Sequence, residues 1–140
     1  MEERRQSPNH YLVYEGSTFT VEFYYTTEGK MPAYEYYRTL SEEDEMRFFV
    51  IVKHLADQPI GTIHPRTIYN LEDADDAIYA IKPHQHRFFS FTTRDRKLIL
   101  TNAYKKRGQK MDKAGKAVLK RAKQMKEDYE NRVSKGVYYA

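Results

Sequence analysis

Three short apolar runs in quick succession constrain this chain more than any other feature: "AIYAI" (Ala77 to Ile81), "RFFSFTT" (Arg87 to Thr93) and "KLILTNAY" (Lys97 to Tyr104). Each has the length of a strand, too short for an independent helix, and the second and third are bounded by turn residues. Only Lys82-Pro83-His84-Gln85 and Thr93-Arg94-Asp95-Arg96 connect them. Connections that short join antiparallel neighbours, because a parallel pair needs a crossover of a dozen residues or more. The stretch therefore predicts an antiparallel meander.

The flanks predict helices and one more strand. Upstream, "YLVYEGSTFTVEFYY" (Tyr11 to Tyr25) reads as strand. Phe19, Val21, Phe23 and Tyr25 alternate with Thr18, Thr20, Glu22 and Tyr24, the period of a half-buried strand. Glu28-Gly29-Lys30 makes a turn. Pro32 suits the first turn of a helix, where its missing N–H costs nothing. "SEED" (Ser41 to Asp44) has the form of a capping box. It opens a helix whose Met46, Phe49, Val50, Lys53 stem, Leu55 and Ala56 point to a core. These two helices form a hairpin. Residues 58–77, with Pro59, Gly61, Pro65 and the acids Glu72, Asp73, Asp75 and Asp76, read as loop. Downstream, Asp112 opens a helix to about Arg132. Ala114, Val118, Ala122, Met125 and Tyr129 form its apolar stripe, and Lys113, Lys116, Lys120, Lys123 and Lys126 surround the rest.

The expected fold is α+β: a small, mostly antiparallel sheet in the order β-α-α-β-β-β-α, with an N-terminal helical hairpin and a C-terminal helix. At 140 residues one domain is expected, over 18–133, with an N-terminal arm at 1–17 and a tail at 134–140. The absence of cysteine removes disulfides, thiolate catalysis and cysteine-based zinc sites. No apolar signal region opens the chain, and no long uncharged apolar run occurs in it. A cytoplasmic protein is expected, with no membrane partner and no cofactor.

Charge is divided unevenly. Residues 1–77 carry 7 Lys/Arg against 15 Asp/Glu, a net of −8; residues 78–111 carry 9 against 1, a net of +8; residues 112–140 carry 8 against 4. The middle segment suits a polyanion, unless the acidic part folds back and neutralises it. Its cations sit at strand ends. Lys82 ends the first strand of the meander, Arg87 opens the second, and Lys106 and Arg107 follow the third. In a meander these ends meet at one edge, where several charges can hold one phosphate. Cleaving RNA needs a group to take the 2′-hydroxyl proton, charge to stabilise the phosphorane, and a proton for the leaving oxygen. A solvated cationic patch that binds anions without chemistry fits the same spacing. His84 and His86 lie around a turn and can move protons near neutral pH. A third metal ligand is not evident beside them, so no metal is expected.

"ILTNAYKKRGQK" (Ile99 to Lys110), followed by a basic helix ending "KEDYENR", resembles the C-terminal half of the RelE/HigB superfamily of toxin–antitoxin ribonucleases, in particular its phage-derived HigB-like branch. That branch has a hydrophobic strand, Phe-x-Lys-Lys, a Thr-Gln-Lys-Thr-Pro-like turn and a helix. Tyr104 stands in the Phe position, Lys106 and Arg107 in the two Lys positions, and Gln109 and Lys110 in the turn. "IYAIKP" resembles the family's Trp/Tyr-Glu-Leu-Arg strand, with Lys82 in the Arg position. "HRFFSF" resembles its Tyr-Arg-Val-x-Tyr strand, with Arg87 in the Arg position. Ala80 stands where the family usually has Glu, and Asp112 where it often has Pro.

The resemblance implies a RelE-like fold and a toxin that acts as a ribosome-dependent mRNA endoribonuclease. Cleavage would proceed by 2′-hydroxyl attack without metal, and a cognate antitoxin protein would block the site. Arg87, Lys106, Arg107 and Lys82 would be catalytic. His84, His86 and Tyr104 would transfer protons or stack on a base, with a core role equally open to Tyr104. Lys105, Lys110 and Lys113 would bind RNA. The alternative is an inactive or retargeted superfamily member that binds RNA or protein.

Overall fold

The computed structural model describes residues 10–140. Residues 1–9, most of the expected N-terminal arm, lie outside the described residues. The elements are β1 (Leu12–Glu15), β2 (Thr20–Phe23), α1 (Pro32–Tyr37), α2 (Glu42–Asp57), β3 (Tyr69–Asp73), β4 (Ile78–Ile81), β5 (His86–Thr92), β6 (Lys97–Lys105) and α3 (Lys113–Ser134). The class is α+β. The strands form one sheet in the order β1-β2-β6-β5-β4-β3. Every neighbouring pair is antiparallel except β2 and β6, which run parallel, so the sheet is mixed.

The meander forms as its short connections require. Tyr79 faces Ser90 across β4 and β5, and Arg87 faces Tyr104 across β5 and β6. Adjacent residues of β5 then serve opposite layers. Phe88 packs on Phe48 of α2 and Tyr36 of α1, with ring centroids 4.9 and 5.5 Å apart. Phe91, on the other face, meets Tyr129 of α3 at 5.4 Å. Phe48, Phe88, Phe89 and Phe91 are essentially fully buried, each worth roughly 1.5–3 kcal/mol of transfer free energy.

The helix starts follow local chemistry. Pro32 opens α1. Ser41 caps α2 by accepting from the Asp44 amide at 3.1 Å, and Asp112 caps α3 by accepting from the Gly115 amide at 2.8 Å.

Several expectations are corrected. The first strand breaks in two at Gly16, because the chain turns there against the end of α2. A Cβ on Gly16 would lie 2.5 Å from the Ala56 carbonyl oxygen, and the Ala56 carbonyl accepts from the Thr18 and Phe19 amides. Residues 12–15, placed in the arm, are thus a strand of the sheet. The strand at 20–23 is buried on both faces, because α3 and the C-terminal residues cover the second one. Glu22, expected toward solvent, is buried and accepts from the Tyr139 hydroxyl at 2.6 Å.

The loop expected at 58–77 contains β3, held by pairing with β4 and by Tyr69 stacked on Tyr79 at 4.7 Å. On α2 the buried residues are Phe48, Ile51, Val52, Leu55 and Ala56, whereas Met46 and Val50 are 67% and 57% exposed and Phe49 is exposed too. Its inward stripe is displaced from the one read in the sequence. Ala114 likewise faces out while Gly115 is buried. Finally, the tail is not an appendage. Tyr138 is 2% exposed, and its hydroxyl accepts from the Tyr25 amide at 2.9 Å.

Candidate functional site

Strand register gathers the meander's cations at one edge. Ile81 pairs with Phe88, so the next position sets Lys82 opposite Arg87, and Arg87 pairs with Tyr104. Opposed residues project to the same face of a sheet, and so does Lys106, two beyond Tyr104. The Lys106 amide donates to the Gln85 carbonyl at 2.8 Å, tying the end of β6 to the β4–β5 turn. A cleft of about 490 Å³ opens there, lined by His84, Gln85, Arg87, Lys105, Lys106, Arg107 and Gly108.

Arg87 is held rigidly. Its Nη1 donates to the carbonyls of His84 (2.7 Å) and His86 (2.9 Å). Its Nε is buried with no hydrogen-bond partner among the described residues. Burial lowers its pKa from the ordinary arginine value, although a guanidinium remains charged. A desolvated cation with an unsatisfied donor costs stability, and an anion bound beside the guanidinium would offset part of that cost. Burial, and then the charge of Arg87, lower the pKa of Lys82. Its ammonium donates to the Arg66 carbonyl at 3.0 Å, and Lys82 is not among the cleft-lining residues.

The acidic first half does not pair with the lysines and arginines of this cleft. Among the described residues no carboxylate forms an ion pair with Arg87, Lys105, Lys106 or Arg107. Asp73 and Asp76 instead hold Lys123 of α3 at 3.0 and 3.6 Å, and Glu22 holds Lys97 at 3.4 Å. The basic face of α3 is therefore partly engaged: Lys126 also donates to the Asp76 carbonyl, at 2.6 Å. Lys110 and Lys113 are exposed but lie outside the cleft lining. Tyr104 is 7% exposed and stacks on Phe89 at 5.7 Å, so its ring is part of the core; burial raises its pKa.

The residues missed from sequence are Asp44 and Tyr36. The carboxylate of Asp44 bridges the two histidines, accepting from His84 Nδ1 at 2.7 Å and from His86 Nε2 at 2.8 Å. Those two bonds hold its pKa below the usual aspartate value. The far nitrogen of His86, Nδ1, meets the Tyr36 hydroxyl at 2.6 Å. The capping box had identified Asp44, but only half of it forms. The Ser41 hydroxyl takes the Asp44 amide, while the carboxylate turns to the β4–β5 turn 40 residues away. Nothing in the local sequence signals that reach.

A second cleft, of about 600 Å³, lies along β3 and is lined by residues including Ile63, His64, Arg66, Tyr69 and Leu71. It is more apolar and lacks the convergent cations. Among the described residues no helix is long and apolar enough to cross a membrane. No family model matches the chain, and no curated protein matches it.

Proposed function

We propose that the chain is a RelE/HigB-like toxin, a ribosome-dependent mRNA endoribonuclease that cleaves by 2′-hydroxyl attack with no metal. The observation that carries this is the convergence of Arg87, Lys105, Lys106 and Arg107 on one cleft, beside a histidine held by a carboxylate. Arg87 fits the charge-stabilising role because its guanidinium is desolvated and its Nε lacks a partner. Lys106 and Arg107 add positive charge from the end of β6, and Lys105 lies beside them as an RNA contact. Lys82 adds positive charge at the same edge of the sheet without lining the cleft. The natural antagonist of such a site is a cognate antitoxin that covers the cleft, in the cytoplasm where the ribosomes are.

The test adds the purified chain to translating ribosomes and maps mRNA ends. Cleavage leaving 2′,3′-cyclic phosphate and 5′-hydroxyl ends, lost in Arg87→Ala, is the expected result. Intact mRNA with both proteins defeats the proposal.

A second reading is a binding module that has lost cleavage or serves another target. It is favoured by the engagement of Lys82 with a backbone carbonyl and of Tyr104 with the core, which removes two of the named residues from direct contact. Binding of mRNA that weakens steeply with salt, without cleavage, selects it.

A further inference from the structure

Resting on the nuclease reading above, we propose that Asp44 is a positioning residue that makes His84, and not His86, the group that takes the 2′-hydroxyl proton.

The argument is one of donors and acceptors. An ionised carboxylate only accepts, so each histidine nitrogen bonded to Asp44 carries its hydrogen. In its neutral form His84 is thereby the Nδ1–H tautomer, with the lone pair on Nε2. Neutral His86 is likewise the Nε2–H tautomer, whose Nδ1 lone pair then accepts from the Tyr36 hydroxyl. Both nitrogens of His86 are occupied, and its side chain is only 13% exposed. The His84 side chain is 44% exposed and lines the cationic cleft. One carboxylate has locked one imidazole into the scaffold and presented the other.

The turn supports the same assignment. His84 sits at φ 56°, a left-handed conformation that few non-glycine residues adopt. Arg87 Nη1, bonded to the His84 carbonyl, braces that conformation. The charged and titratable groups around His84 are Asp44 from α2, Arg87 from β5 and Lys105, Lys106 and Arg107 from the end of β6. Tyr36 of α1 reaches it through His86 and Asp44.

In the reaction, His84 Nε2 takes the 2′-hydroxyl proton as the 2′-oxygen bonds to phosphorus. The bond from phosphorus to the 5′-oxygen breaks, and that oxygen takes a proton from water. The imidazolium then returns its proton to solvent, and the chain is unchanged.

The test compares wild type, His84→Gly, Asp44→Asn and Asp44→Glu in the ribosomal cleavage assay and by ¹⁵N NMR of the histidines. Glycine is chosen because it accepts the positive φ. His84→Gly is expected to slow cleavage at saturating mRNA by about 10²–10⁴-fold, with recovery on adding imidazole, the range for loss of a general base. Asp44→Asn is expected to slow cleavage and to move His84 out of the Nδ1–H tautomer, while Asp44→Glu restores part of both. Undiminished cleavage by His84→Gly, no recovery with imidazole, or a His84 tautomer unaffected by Asp44→Asn each overturns the proposal. Absence of cleavage by wild type overturns the nuclease reading and this mechanism with it. The tautomer measurement, which needs no activity, still tells that failure from a wrong clamp.

Discussion

Replacing Gly115 by alanine sets two opposing effects against each other at the base of α3. An ideal Cβ there would lie 2.7 Å from Met111 Cγ, 2.7 Å from Tyr104 Cε2 and 2.8 Å from Tyr104 Cζ. Comfortable carbon–carbon contact begins near 3.5 Å, so the new methyl overlaps by roughly 0.8 Å. Met111 is half-buried and flexible, and yields cheaply. The Tyr104 ring cannot, because it is buried and stacked on fully buried Phe89. Overpacking of this kind costs about 1–3 kcal/mol. Against it stands the better helix propensity of alanine, at most about 1 kcal/mol and less in a first turn. The net is a destabilisation of about 1–2 kcal/mol. For a chain of this size that lowers Tm by roughly 3–8 °C. Thermal melts followed by circular dichroism measure it, with guanidinium titrations at 25 °C as a check. In a Tyr104→Leu background the same substitution should be neutral or slightly stabilising, giving a coupling near 1 kcal/mol or more. A Tm at or above wild type for Gly115→Ala would refute the placement of Tyr104 beneath α3.

Tyr138→Ala should cost about 3–5 kcal/mol, from the lost ring and its lost hydrogen bond with the Tyr25 amide, and a denaturant midpoint close to wild type would show that the C-terminal residues are not part of the core. Ile51→Ala should cost about 2–5 kcal/mol while Met46→Lys stays within about 0.5 kcal/mol, and equal losses would contradict the assigned face of α2. The Ser17 amide, the Lys53 ammonium and the Tyr14 hydroxyl hold the Asp57 carboxyl down to about 2 from an ordinary 3.8. Its folded pKa is below its unfolded one, so its stabilisation is complete above about pH 4 and is lost as pH falls toward 2. Asp57→Asn should therefore flatten the stability–pH curve in that window alone, as acid titration of unfolding will show; an unchanged slope there contradicts the contact.

Much of the frame was legible because its causes are local. Pro32, Ser41 and Asp112 start helices through groups within four residues of themselves, and the meander follows from connections too short for any other pairing. The misreadings share a different cause. The chain turns at residue 16 against Ala56, 40 residues on, and only glycine fits that close an approach. β3 lacks a strong strand signal and exists through pairing with β4. The stripe of α2 was displaced because it is dense in apolar residues, and only contact with Phe88 decides which of them face inward.

The candidate site divides in the same way. The amino-acid order by itself placed nine cations and one acid within residues 78–111, and set Lys82, Arg87, Lys106 and Arg107 at strand ends. Register decided which of them meet, since a slip of one residue would send Arg87 to the opposite face. Tertiary packing alone brought Asp44 onto His84 and His86 and sank Tyr104 into the core. A hydrogen bond spanning 40 residues depends on how α2 lies across the sheet, and that is settled by the burial of Phe48 against Phe88, not by any pattern near Asp44.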